Sequence, residues 1–400
     1  MSDSLFSRIE LAPRDPILGL NEAFAHDTRP QKVNLGVGVY FTEEGRIPVL
    51  RAVAEAERQR VAQPAPRGYL PIEGIAAYDA AVQQLLFGPA SPVIAQGRAI
   101  TAQALGGTGG LRIGAELLKR VLPNAVVAIS EPSWENHRAI FESSGFRVVS
   151  YPYYDAATHG VNFAAMSGAL RALPPRSIVV LHACCHNPTG ADLKLDQWRE
   201  VLEIVKTGEL VAFLDIAYQG FGDGIEADGA AVRLFAESDA TFLVASSFSK
   251  SFSLYGERVG ALTIVDQSKD ESARVLSQLK RVIRANYSTP PTHGGMVVAT
   301  VLNTPALRTE WEAELAEMRT RIKAMRRRLV QDLAVRNVKP DFSFIERQNG
   351  MFSYTGLTSA QVHRLGAEFG IYAVSTGRIC VAALNAKNVD YVADAIAHVL

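Results

Sequence analysis

Between residues 125 and 265 the chain repeats one pattern: a short apolar run, a turn, then a segment with helical spacing. Runs at 125–129, 147–151, 177–181, 210–214, 241–245 and 261–265 read as buried strands, with helices at 134–143, 163–173, 197–205 and 230–236. Strands apolar along their whole length are covered on both faces, and regular alternation with helices is the signature of a parallel sheet between two helical layers. An α/β fold is therefore expected. The same reasoning says where to look for chemistry, because ligands of such sheets bind at the carboxyl ends of the strands.

Three successive strand ends carry reactive side chains. After 177–181 comes His182-Ala183-Cys184-Cys185-His186-Asn187-Pro188-Thr189-Gly190, and after 210–214 comes Asp215-Ile216-Ala217-Tyr218. After 241–245 comes Ser246-Ser247-Phe248-Ser249-Lys250, with Arg258 eight residues beyond the lysine. One rim thus offers an amide, a carboxylate with a phenol, and an amine with a guanidinium. Earlier, Gly106-Gly107-Thr108-Gly109-Gly110 opens an apolar helix and would expose backbone N–H groups to an anion. It is no dinucleotide fingerprint, since the third glycine of that pattern falls at Arg112.

The flanks differ from this core. Residues 1–14 read as an arm, and a helix is expected from Asp15-Pro16. A glycine-broken strand is expected at 33–40, its glycines marking either close approach of a ligand or another backbone or simply a bend or bulge. Helices follow near 50–62 and 74–87, separated by a loop centred on Tyr69. From about 305 a long helix capped by Thr304-Pro305 begins an α+β unit, with strands at 342–345, 351–354 and 379–383 and helices at 360–369 and 389–400. Lysine plus arginine equals aspartate plus glutamate at 41 each, so nothing calls for nucleic acid or an acidic membrane. Three cysteines make neither a disulfide framework nor a zinc pattern. With no signal-peptide start and no apolar run of about 18 residues, the expected compartment is the cytoplasm.

A lysine held away from bulk water can lose its proton near neutral pH and attack a carbonyl, and Arg258 could hold a phosphate. Together these suggest pyridoxal 5'-phosphate bound through a Schiff base. The other needs of that cofactor have candidates. Asp215 would keep the pyridine nitrogen protonated, though an aspartate there could equally cap a helix. Asn187 and Tyr218 would donate to the ring oxygen, and the Gly107–Gly109 turn to the phosphate. Trp134 would cover the ring face, although a lone tryptophan is more often a core residue and gains weight here only from its company. His137 would brace Asp215 or serve structure alone. Arg378 and Arg284 are candidates for a substrate carboxylate, or else partners in surface or interface ion pairs.

The segments Cys-His-Asn-Pro-Thr-Gly at 185–190, Asp-Ile-Ala-Tyr-Gln-Gly-Phe at 215–221 and Ser-Phe-Ser-Lys with Tyr-Gly-Glu-Arg-Val-Gly through 260 together resemble the fold type I pyridoxal-phosphate aminotransferases. The resemblance spans essentially the whole chain. It points to the subgroup holding aspartate and bacterial aromatic-amino-acid aminotransferases. It implies a mostly parallel seven-stranded sheet in a large domain, 46–305, with 1–45 and 306–400 forming a smaller one that closes over the substrate. It implies that Lys250 binds the cofactor and then shuttles a proton, that Asp215 serves the ring nitrogen, and that Asn187 and Tyr218 serve the ring oxygen. Gly107, Thr108, Ser247 and Arg258 match phosphate-binding positions, Trp134 the stacking position and Arg378 the α-carboxylate arginine. Gly38, Trp134 and Asn187 also fall at substrate-binding positions. The family is a homodimer, so Tyr69 and Arg284 would reach the site of a second copy.

Phe41 and Ile47 lie in the segment that the resemblance places at the site mouth, and apolar groups there favour an aromatic side chain by roughly 1.5–3 kcal/mol if fully buried. Val39 and Thr108 look instead like the aspartate type. The expectation is a ping-pong aminotransferase for aromatic amino acids and aspartate with 2-oxoglutarate, the alternative being an aspartate enzyme. Because an aromatic ring would leave Arg284 desolvated and unpaired, Arg284 is expected to swing away from such substrates.

Overall fold

The computed structural model describes residues 4–12, 15 and 17–400. Its thirteen strands are β1 (Val33–Asn34), β2 (Ala99–Leu105), β3 (Val126–Glu131), β4 (Arg147–Pro152), β5 (Tyr154–Asp155), β6 (Gly160–Val161), β7 (Ile178–His182), β8 (Val211–Ile216), β9 (Phe242–Ser247), β10 (Val259–Val265), β11 (Phe352–Tyr354), β12 (Ile371–Tyr372) and β13 (Arg378–Cys380). The expected seven-stranded sheet is present, in the order β2-β10-β9-β8-β7-β3-β4. It is mostly parallel: β10 alone runs against both its neighbours. Strands β9 and β10 are buried at every residue, which is why they read as unbroken apolar runs.

Each face of the sheet has its own core. One packs Phe213, Leu243, Ala245 and Leu262 against the helices Gly106–Val121 and Lys269–Asn286. The fit there is close: a Cβ on Gly114 would lie 2.6 Å from Phe213 Cζ. The other core packs Phe235, Phe242 and Val244 against the opposite helical layer and runs on into the C-terminal unit through Trp311 and Leu315.

The flanks needed several corrections. The helix expected from Asp15 begins at Leu18, and Pro16 lies outside the described residues. The strand expected at 33–40 stops at Asn34, because the backbone changes partner. Leu35 donates to Tyr372 O, while its own carbonyl accepts from Cys380, so the chain leaves β12 for the line of β13. Residues 342–345 are no strand: Asp341 accepts from both the N–H and the Oγ of Ser343 and starts a 3-10 turn, Ser343–Arg347. The strand expected at 379–383 is Arg378–Cys380 followed by a second such turn. Thr304 precedes the long helix Pro305–Val335 but makes no capping bond with its side chain. The structure adds strand β2 and the helices Lys269–Asn286 and Thr292–Asn303 to the elements expected from the sequence.

The long helix braces the rim. Trp311, only 1% exposed, donates Nε1–H to Ser251 O at 2.7 Å and stacks on Phe252 at 4.6 Å, just behind Lys250. Trp311→Ala should therefore destabilise the protein by about 3–5 kcal/mol, through a large cavity and an orphaned carbonyl. Urea unfolding measures this, and a loss below about 1 kcal/mol would mean the loop holds itself.

Candidate active site

The rim loops meet as the strand order requires. Asp215, at the end of β8, is buried, and its Oδ2 pairs with His137 Nε2 at 3.0 Å. Ser133 Oγ lies 2.9 Å from His137 Nδ1, so the ring is held from both sides. Burial pushes the Asp215 carboxyl up, but the His137 bond and the charges of His137, His182 and Lys250 outweigh it and hold the group below its ordinary range. Its second oxygen, Oδ1, is buried with no protein partner. An ionised oxygen without a donor is costly, and it asks for a cationic N–H.

Lys250 Nζ stands 4.8 Å from the centroid of the Tyr218 ring. Burial lowers its pKa, Asp215 raises it and Arg258 lowers it again, leaving it at about 8. The amine can thus shed its proton close to neutral pH. Tyr218 is buried, and burial raises its phenol, so it remains a donor.

Arg258 lies at the exposed side. Its Nη1 donates to Ser249 Oγ at 3.2 Å and to Tyr255 O at 3.0 Å. Facing it, the helix Gly106–Val121 starts with glycines that let the Arg258 and Ser247 side chains come close to the helix N-terminus. A Cβ on Gly106, whose φ is 70°, would sit 2.5 Å from Arg258 Nη2, and one on Gly107 would lie 3.1 Å from Ser247 Cβ. A helix N-terminus, a guanidinium and the nearby Thr108 and Ser247 hydroxyls suit a phosphate.

Arg378 opens β13 with its guanidinium buried at 1% exposure. Nη1 donates to Asn187 Oδ1 at 3.0 Å and Nη2 to Gly36 O at 2.7 Å, while Nε has no partner. The bond to Arg378 fixes the Asn187 amide, leaving its NH₂ free to donate elsewhere. Phe352 supports this group: its ring lies 4.3 Å from the Arg378 guanidinium and edge-on to Tyr218 at 5.9 Å. A Cβ on Gly38 would lie 2.6 Å from Phe352 Cζ, which explains glycine there by close packing. Trp134 stands edge-on to His137 at 5.3 Å, beside Asp215.

The structure thus brings Lys250, Asp215, Tyr218, Asn187, Arg378, Arg258, Ser247, Gly107, Thr108, Trp134 and Gly38 together at one rim, the strand ends pointing to Asn187, Asp215, Tyr218, Lys250 and Arg258, and the glycine-rich turn and the resemblance to the others. Tyr69 and Arg284 stand apart. Tyr69 is 95% exposed, and exposed Arg284 donates to Ser288 Oγ on its own helix end. Three contributors were missed. His182 lies between His137 and His186 at ring distances of 4.9 and 4.4 Å, with Nε2 unpartnered. Its position in the Asn187 loop was the available signal. Tyr255, whose hydroxyl accepts the Tyr40 N–H at 2.9 Å, opens the Tyr-Gly-Glu-Arg-Val-Gly segment, and Phe352 has no local sign.

The residues fit a pyridoxal phosphate: an orphaned carboxylate oxygen for the ring nitrogen, an amine of lowered pKa and a glycine-lined phosphate cradle. Residues 30–396 match the family model for aminotransferases of class I and II. The chain is 68% identical over 397 residues to an aspartate aminotransferase of Pseudomonas aeruginosa, covering 99% of this chain and 100% of that protein. It is 53% identical over 397 residues to an aromatic-amino-acid aminotransferase of Escherichia coli, again covering 99% and 100%. It superposes with a TM-score of 0.97 at 69% identity, covering 99% and 100% of the two chains, on a crystal structure of an aromatic-amino-acid aminotransferase from Burkholderia pseudomallei covalently bound to pyridoxal phosphate. On this agreement of site, sequence and fold, the chain belongs to the class I and II aminotransferases.

Proposed function

We propose that this aminotransferase uses pyridoxal 5'-phosphate to exchange the amino group of an aromatic amino acid or aspartate with 2-oxoglutarate, in a ping-pong cycle. The observation that carries the cofactor reading is the buried, unpartnered Oδ1 of Asp215 on the same rim as Lys250. When bound, the cofactor supplies an aldehyde for the amino group and an electron-accepting ring. Lys250 would hold it covalently, and its Nζ would carry the proton of the substrate Cα. Asp215 keeps the ring nitrogen protonated, and Asn187 and Tyr218 donate to the ring oxygen. Gly107, Thr108, Ser247 and Arg258 hold the phosphate, and Trp134 shields the ring from water. Arg378 orients the substrate by its α-carboxylate, with Asn187, Trp134 and the Gly38 backbone beside it.

We also read residues 46–305 as the large domain and 1–45 with 306–400 as the smaller one. The parallel pairing of Val33–Asn34 with Ile371–Tyr372 supports joining the two ends of the chain. A homodimer is supported by apolar side chains standing in solvent, among them Phe6 at 69%, Ile9 at 70% and Leu11 at 99% exposure. In that dimer Tyr69 would reach the partner's phosphate site and Arg284 its distal substrate group. Among the described residues no helix is long and apolar enough to cross a membrane, and we place the enzyme in the cytoplasm on family resemblance.

Breadth toward aromatic substrates is supported by partly buried Phe41 and exposed Ile47, apolar groups on the segment after Gly38. The test is the visible spectrum of the holoenzyme, followed after adding tyrosine or aspartate without a keto acid. Bleaching by both, faster with tyrosine at equal concentration, is the expected result. Bleaching by aspartate alone would make it an aspartate enzyme, and a protein that stays colourless with added cofactor would refute the whole reading.

A further inference from the structure

A second buried arginine lies behind the substrate site, and the reaction makes no use of it. Arg326 is 2% exposed and sits on the helix Pro305–Val335. Its guanidinium donates to the carbonyls of Ile345 at 3.3 Å, Gly350 at 2.7 Å and Phe352 at 2.6 Å, and to Ser353 Oγ. All four acceptors are neutral. The Asp192 carboxylate acts on it through space, but a buried guanidinium whose direct partners are all neutral is costly, and apolar residues of similar volume would fill the space at less cost. Burial pushes its pKa down only to about 10, so the charge persists at neutral pH.

All four acceptors belong to one short stretch, 345–353, whose far side is the floor of the substrate site. Phe352 gives its carbonyl to Arg326 and its ring to Arg378, at 4.3 Å. The same stretch is tied to the Asn187 loop, because Asn349 N–H donates to Gly190 O at 2.7 Å. A fixed fork of donors can span acceptors spread along a turn, whereas an ammonium presents one point.

We propose that Arg326 is a positioning residue for substrate recognition: by clamping the 345–353 turn it holds Phe352 beneath Arg378 and so sets the guanidinium that receives the α-carboxylate. This rests on reading Arg378 as the carboxylate-binding arginine.

The test is Arg326→Lys in the holoenzyme, with steady-state kinetics on tyrosine and aspartate and equilibrium titration with succinate, a four-carbon dicarboxylate. The expected result is a rise of about tenfold in both KM values and in the succinate Kd, with kcat within about threefold and the cofactor spectrum unchanged. A lower melting temperature with KM and Kd unchanged would overturn the proposal, as would a fall in kcat equal to the loss in kcat/KM. Should Arg326→Lys fail to fold, Ser353→Ala removes one acceptor at a fully buried position. It should raise KM about threefold, and an unchanged KM overturns the clamp. Arg378→Lys separates the two readings. If it leaves KM and Kd unaltered, the carboxylate assignment fails; if it raises them while Arg326→Lys does not, only the clamp fails.

Discussion

Lys250→Met should extinguish transamination and, in the cofactor-free protein, raise stability at neutral pH. The activity loss follows from the two roles assigned to one nitrogen. Methionine can neither bond to the cofactor nor carry a proton, and loss of a positioned acid–base group alone costs up to about 10⁴-fold. Retention of more than about a hundredth of wild-type turnover would mean that another group moves the proton. The stability gain follows from the amine's pKa, lowered to about 8 from 10.5 chiefly by burial. Below pH 8 the amine is charged in both folded and unfolded chains, and the full cost of burying that charge is present. Between pH 8 and 10.5 the unfolded chain holds a proton that the folded chain has released, so wild-type stability rises with pH across that window. The shift from 10.5 to about 8 corresponds to roughly 3 kcal/mol. Methionine fills a similar volume without the charge. Its advantage should be full at pH 7, shrink from pH 8 upward and be gone near 10.5. Thermal melts of both cofactor-free proteins across pH check this, and an advantage that does not shrink would have a packing origin.

The two halves of this prediction differ in how far the sequence reveals them. That Lys250 lies on the functional rim follows from one strand end: an apolar run, 241–245, then small hydroxyl residues and a lysine. The same logic located Asn187 and Asp215, because position along a parallel sheet maps directly to one edge of the molecule. What the sequence hides is contact between distant segments. Phe352 lies beneath Arg378, 26 residues earlier in the chain, and its phase in a three-residue strand carries no mark of that duty. Strand β10 reads like its neighbours, since burial on both faces makes a strand apolar whichever way it runs. The 3-10 turn at Ser343–Arg347 reads as a strand because Phe and Ile favour sheets, while the Asp341 side chain that starts the turn acts through hydrogen bonds. The family resemblance supplied Tyr69 and Arg284, which no spacing could have joined to the site. Within one chain the structure leaves both at the surface.

Asp215→Asn should lower kcat by about 10³-fold while leaving the fold and the phosphate cradle intact. The substitution preserves shape and one acceptor oxygen, so His137 can keep its partner across the 3.0 Å contact. What disappears is the charge. Burial alone would push the carboxyl toward neutrality, and the His137 hydrogen bond together with nearby positive charge, Lys250 included, holds it below its ordinary range. A carboxylate about 4 Å from a cationic nitrogen contributes about 4 kcal/mol at an effective dielectric of 20. That figure corresponds to about 10³ in rate if the ring must stay protonated as the Cα–H bond breaks. Cofactor affinity should fall far less, because the phosphate contacts proposed for Arg258, Ser247 and the Gly106–Val121 helix do not depend on Asp215. The discriminating measurement is therefore single-turnover kinetics on Asp215→Asn saturated with cofactor. A rate within tenfold of wild type would assign proton control of the ring to some other group. A 10³-fold slower step with normal cofactor content would tie the strongest electrostatic feature of the site, one orphaned carboxylate oxygen at a strand end, to the chemistry itself.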